Sequence, residues 1–101
     1  MGAQAFVNEA KAKTPRDAFA ELVAEAVYDF GHDGYNGTIS TCEIGSCRKK
    51  FDSPTEENRT AAYEFIESED YGEKWQADWI ELGKDEKTGL NVYMFYGWAA
   101  C

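Results

Sequence analysis

The chain has 101 residues, 44% of them hydrophobic and 15% aromatic, and a formal net charge of −9 at pH 7. That apolar content excludes an acidic disordered tail, and a chain of this length buries roughly 60–70% of its unfolded surface, enough for one domain spanning residues 1–101. The acidity excludes nonspecific attraction to nucleic acid or to an anionic membrane, because phosphate affinity comes from Lys and Arg, and it favours a basic partner.

No apolar run approaches the length of about 18 residues that a membrane-spanning helix needs. Met1-Gly2-Ala3-Gln4 lacks the basic start and apolar block of a signal peptide, and Phe6 stands where a myristoylation signal has Ser or Thr. The expected location is the cytoplasm. Cys42, Cys47 and Cys101 are odd in number, and in that compartment three reduced thiols are the default.

In chain order, residues 3–13 alternate loosely: Gln4, Phe6, Asn8 and Ala10 share one face, as in a first strand with one wet side. Thr14-Pro15-Arg16-Asp17 starts a helix, with Thr14 as cap, Pro15 in the first turn and Asp17 at the positive end of the dipole. Phe19, Leu22, Val23, Ala26, Val27 and Phe30 then form one apolar stripe, opposite Glu21, Glu25 and Asp29. Gly31 is placed to stop this helix. Residues 31–37 form a glycine-rich joint, and Thr38-Ile39-Ser40-Thr41-Cys42-Glu43-Ile44 reads as a second, β-branched strand broken by Gly45-Ser46. Arg48-Lys49-Lys50 is the single basic run.

Ser53-Pro54-Thr55-Glu56 signals a second helix, with Ala61, Ala62, Phe65 and Ile66 as a narrower apolar stripe ending near Ser68. From Pro54 to Glu81, nine acidic residues against Arg59 and Lys74 leave the segment at −7. Residues 75–82 alternate as a third strand, residues 83–89 make a polar hairpin turn, and residues 90–98 form a fourth strand. In that last strand Leu90, Val92, Met94, Tyr96 and Trp98 share one face while Tyr93 and Phe95 occupy the other. Apolar groups on both faces fit a central strand, or a sheet whose back is a binding surface. The order β-α-β-α-β-β predicts an α+β domain, with two amphipathic helices on one face of a mostly antiparallel four-stranded sheet.

The chemistry-bearing groups are sparse. His32 is the one imidazole, and Cys42, Cys47, Ser40 and Ser46 are the nearby nucleophiles, without a nameable orienting group. Gly31-x-x-Gly34-x-x-Gly37 follows a helix, whereas phosphate loops follow a strand and open a helix. A nucleotide- or small-ligand-sequestering role using His32, Tyr35, Asn36 and Arg48 is one alternative. A zinc site or Cys–His enzyme built from His32, Cys42, Cys47 and Cys101 is another, although four residues separate Cys42 from Cys47, wider than a zinc knuckle. A Cys42–Cys47 disulfide is a third use of that pair. The leading expectation assigns no catalytic residue, metal or cofactor. The acids Glu56, Glu57, Glu64, Glu67, Glu69, Asp70 and Glu73, with Trp79, Tyr93 and Phe95 as aromatic anchors, would form a protein contact surface.

Met1-Gly2-Ala3, the capped helix and the run Tyr28-Asp29-Phe30-Gly31-His32-Asp33-Gly34-Tyr35-Asn36-Gly37-Thr38-Ile39 resemble a group of small tailed-bacteriophage proteins. These begin Met-Gly-Ala and carry Gly-His-x-Gly-Tyr-x-Gly-Thr-Ile; the group has no established activity. The resemblance covers the first 40 or so residues and implies a phage or mobile-element context. By analogy of size and charge with anti-CRISPR proteins, it implies an inhibitor of a host defence complex. Its partner would be a host protein with a nucleic-acid-binding surface, contacted without direct binding of nucleic acid or membrane.

Overall fold

The structure is a computed structural model that describes residues 3–30, 39 and 42–100. His32, Tyr35 and Asn36, with the rest of the glycine-rich joint, lie outside the described residues, as does Cys101. The elements are β1 (Ala3–Ala12), α1 (Pro15–Phe30), β2 (Glu43–Lys50), α2 (Glu56–Ser68), β3 (Gln76–Lys84) and β4 (Asn91–Ala100). The four strands form one mixed sheet in the order β1-β4-β3-β2, antiparallel except for the β2–β3 pair. The α+β class and the element order are therefore those expected from the sequence.

Both helices start on the residue types that favour it. Thr14 Oγ1 accepts the Asp17 N–H at 3.1 Å, and its carbonyl accepts from Ala18 N–H. In α2 the cap is Thr55, accepting the Asn58 N–H at 3.1 Å, and Pro54 lies just before it. The Asn58 side-chain amide returns to the Ser53 carbonyl, tying the incoming loop to the helix. The β3–β4 hairpin closes through Asp85 N–H on the Leu90 carbonyl, with Gly89 in the left-handed region at φ 74°.

The placement of the helices corrects the expectation of a single covered face. Ala18, Leu22 and Ala26 of α1 pack with Phe6, Tyr93 and Phe95, whereas Ala62 and Ile66 of α2 pack with Ile80, Leu82, Val92, Met94 and Tyr96. Each face of the sheet thus carries one helix. The cause is topological: β1, β2 and β3 run in one direction, and the chain crosses the sheet from β1 to β2, then steps back to β3. Two crossovers of the same hand moving in opposite directions put their helices on opposite faces. β4, central and covered on both sides, accordingly has apolar residues in both registers.

The second strand also differs. It runs through Gly45-Ser46 and ends on Arg48-Lys49-Lys50, with register shifts between Ile44 and Cys47 and between Cys47 and Lys49. Gly45 is an interior residue there because an added Cβ would run into the Asp78 carboxylate. The bulges and the basic residues suit an edge strand, whose exposed ladder would otherwise template pairing.

Candidate functional site

The outer face of α2 is acidic. Residues 56, 60, 63 and 67, with 57 and 64 beside them, recur at helical spacing, and Glu56, Glu57, Tyr63, Glu64 and Glu67 are all exposed. Tyr63, 46% exposed, stands among these carboxylates as one of the few large apolar groups left in solvent. The one cation of the helix, Arg59, turns toward the sheet. It donates to Glu9 at 2.9 and 3.2 Å and to the Pro54 carbonyl at 2.7 Å, and the Glu9 hydrogen bond holds its guanidinium above its ordinary pKa. The last turn contains no basic residue. Glu64 and Glu67 therefore sit at the end of the helix where the dipole opposes negative charge.

Behind the end of α2 lies a polar node. Asp78 on β3, 1% exposed, accepts the Ser46 N–H at 3.0 Å and the Gln76 side-chain amide at 2.7 Å through Oδ1. Arg48 on β2 spans two carboxylates, with Nη2 3.4 Å from Glu69 and Nη1 3.9 Å from Asp78. Glu69, then Asp78, raise its pKa further. The Tyr96 hydroxyl, 3.5 Å from Glu69, completes the node, and burial followed by the Glu69 and Asp78 charges pushes its phenol well above the ordinary value. Through Arg48 the arrangement joins the edge strand to the helix end by a partly exposed ion pair.

The loop from α2 to β3 is held in an uncommon conformation. Asp70, Tyr71 and Gly72 have φ of 53°, 61° and 77°, and Trp75 follows at 63°. For the non-glycine residues this is backbone strain that the surroundings must offset. They do so through hydrogen bonds from Tyr71 N–H to the Ile66 carbonyl, from Trp98 Nε1–H to the Asp70 carbonyl and from Trp75 N–H to the Trp98 carbonyl. The Tyr71 ring meets the Trp98 indole edge-on, centroids 6.2 Å apart at 77°. Trp75 itself precedes β3 and is 45% exposed, so the third strand starts one residue later than the alternation indicates.

The sequence-derived candidates therefore divide. Glu56, Glu57, Glu64 and Glu67 share the α2 surface, and Asp70 and Glu73 extend it along the loop, exposed. Glu69 is half-buried and engaged with Arg48, which makes it part of the framework. Tyr93 and Phe95 are not surface anchors: they are 1% and 0% exposed, under α1, because β4 is the central strand. Trp79 is half-buried with its ring 5.6 Å from Phe95, again on the α1 side and away from the acids. Arg48 belongs to the polar node, and the other residues of the alternative ligand site, His32, Tyr35 and Asn36, lie outside the described residues. Cys42 and Cys47 are not joined to each other; their thiols approach the carbonyls of Trp98 and Lys49. Among the described residues no group of three or more His, Cys, Asp or Glu is arranged to hold a metal ion.

Sequence reasoning gave Asp78, Tyr96 and Trp98 no role in a site. A signal for Asp78 was present: it shares the strand register of Ile80 and Leu82, so an acid stood in an apolar row. Compared with known protein families, curated proteins and solved structures, the chain matches none.

Proposed function

We propose that this protein is a non-enzymatic acidic binding protein that docks its α2 face onto a basic, nucleic-acid-binding surface of a host protein and so blocks it. The observation that carries this reading is the uncompensated charge of the α2 surface. Exposed carboxylates line it up to the helix end where the dipole disfavours them, and its own cation is turned away to Glu9. Glu56 and Glu57 suit the positive end of the helix, whereas Glu64 and Glu67 gain nothing from it, and a face of one sign steers a partner of opposite sign. Tyr63 supplies an aromatic contact amid the carboxylates. The resemblance of the N-terminal stretch to phage proteins supports a host target, with a nucleic-acid-handling defence complex as its class.

The test is affinity capture from host lysate with the wild-type protein and the variant E56Q/E57Q/E64Q/E67Q. The expected result is a discrete nucleic-acid-binding protein retained at ~50 mM salt, released at ~500 mM salt or by an oligonucleotide, and lost by the variant. Retention that survives both high salt and the substitutions, or no retention of any host protein, refutes the reading.

A further inference from the structure

Next to the acidic face, the loop after α2 and the end of β4 bound a cleft of about 580 Å³ lined by Ala3, Asp70, Gly72, Glu73, Lys74 and Trp98. Its aromatic wall is fixed in place. The Trp98 indole is tied by Nε1–H to the Asp70 carbonyl at 2.8 Å and braced by Tyr71, while its backbone N–H donates to the Glu73 carbonyl at 3.2 Å. Gly72 has no room to change, since a Cβ there would lie 3.0 Å from the Tyr96 ring at φ 77°. The carboxylates of Asp70 and Glu73 are exposed and take part in no ion pair among the described residues. Among the described residues Lys74 is the one cation of the lining, set against the two carboxylates of Asp70 and Glu73.

An indole wall beside two carboxylates that no described residue pairs with selects a cation with flat apolar faces. A guanidinium meets that description better than an ammonium: it stacks on an indole and keeps its N–H edge for carboxylates, and it is the less strongly hydrated of the two. We propose that the cleft receives an arginine side chain of the basic partner, with the guanidinium against Trp98 and its N–H groups donating to Asp70 and Glu73. This rests on the reading that the partner is basic, and it adds the residue type that the partner must present. The volume exceeds that of one side chain, so the backbone on either side of the arginine enters as well.

The probe is a capped Gly-Arg-Gly tripeptide, with capped Gly-citrulline-Gly as its uncharged counterpart, followed by the Trp98 indole N–H resonance in proton–nitrogen spectra of the whole chain. The expected result is a saturable shift with the arginine peptide and none with citrulline. The variant D70N/E73Q weakens binding about fivefold. It keeps the fold, because asparagine tolerates the left-handed conformation of residue 70 and the Asp70 carbonyl, a backbone group, still accepts from the indole. Lys74→Gln tightens binding about twofold, the opposite sign. An unsaturable shift, equal response to citrulline, or indifference to D70N/E73Q overturns the proposal. If the arginine peptide fails while capture still depends on the α2 glutamates, the cleft assignment alone falls. If the peptide binds while capture ignores those glutamates, the acidic-face reading falls and the cleft stands.

Discussion

Asp78 is the buried acid that ties β2 to β3, and replacing it separates two physical roles. Alanine at this position removes the acceptor of the Ser46 N–H and of the Gln76 side-chain amide, at 3.0 and 2.7 Å, together with the charge facing Arg48. Hydrogen bonds to a charged acceptor are each worth about 1.5–3 kcal/mol. Two effects reduce that sum: a carboxylate no longer has to be stripped of water, and the exposed Ser46 recovers part of its hydration. The net loss for D78A is about 3 kcal/mol. Asparagine keeps an oxygen for both donors but forfeits the charge and sets an N–H2 group where Oδ2 faces Arg48, a cost offset in part because no carboxylate has to be stripped of water. That charge faces Arg48 at 3.9 Å, and the arginine side chain is 41% exposed, so the ion pair itself is weak and D78N loses about 1 kcal/mol. For a domain of this size, 1 kcal/mol corresponds to ~4–8 °C, so D78A lowers Tm by roughly 12–24 °C and D78N by no more than about 8 °C. Urea titration followed by circular dichroism, with thermal melts, reads both. Equal losses in the two variants would show that charge and not acceptor geometry holds the node, and a D78A loss below about 1 kcal/mol would show that the node does not hold the fold at all.

Two glycine substitutions separate sterics from backbone strain: at Gly83 (φ 93°) a Cβ would lie 2.6 Å from the Asp52 carbonyl group, whereas Gly89 (φ 74°) has nothing within 4 Å. Gly83→Ala is therefore expected to lose more than about 2 kcal/mol and Gly89→Ala about 1 kcal/mol, measured by urea midpoints; equal losses would refute the close approach. Asp85 is held below its ordinary pKa of 3.8, first by the Lys11 hydrogen bond at 2.7 Å and then by the Lys87 N–H. A carboxylate with a depressed folded pKa contributes stability above its unfolded pKa and loses it as pH falls through the folded one. Lys11→Met should thus reduce stability at neutral pH and make the decline below pH 3.8 shallower, read as urea midpoints across that range; an unchanged acid limb would refute the pairing.

The legible parts of this protein were those set by residues close in sequence. Thr14-Pro15 and Thr55 begin the helices where capping chemistry demands, and the polar stretch ending in Gly89 turns the hairpin; the two-faced apolar pattern of residues 92–96 fitted a central strand and a binding surface equally, and the strand order decided for the former. The acidic stripe of α2 was legible for the same reason: helical spacing is a local property. The strand ending at Lys50 was not, because Gly45-Ser46 reads as a break until Asp78, 32 residues from Ser46, is seen to occupy the space a side chain would need.

Composition and spacing by themselves determined the class, the order of elements, the extent of α2 and the charge of its outer face. Only the tertiary structure decided which side chains stay exposed. Trp79, Tyr93 and Phe95 looked like anchors and are taken up beneath α1, since opposed crossovers put one helix on each face. Trp98 and the left-handed Asp70–Gly72 turn, unremarkable as a string, come together into a cleft through contacts between residues 28 apart. Burial and convergence depend on which elements stack, and that is settled by long-range packing that no local pattern encodes.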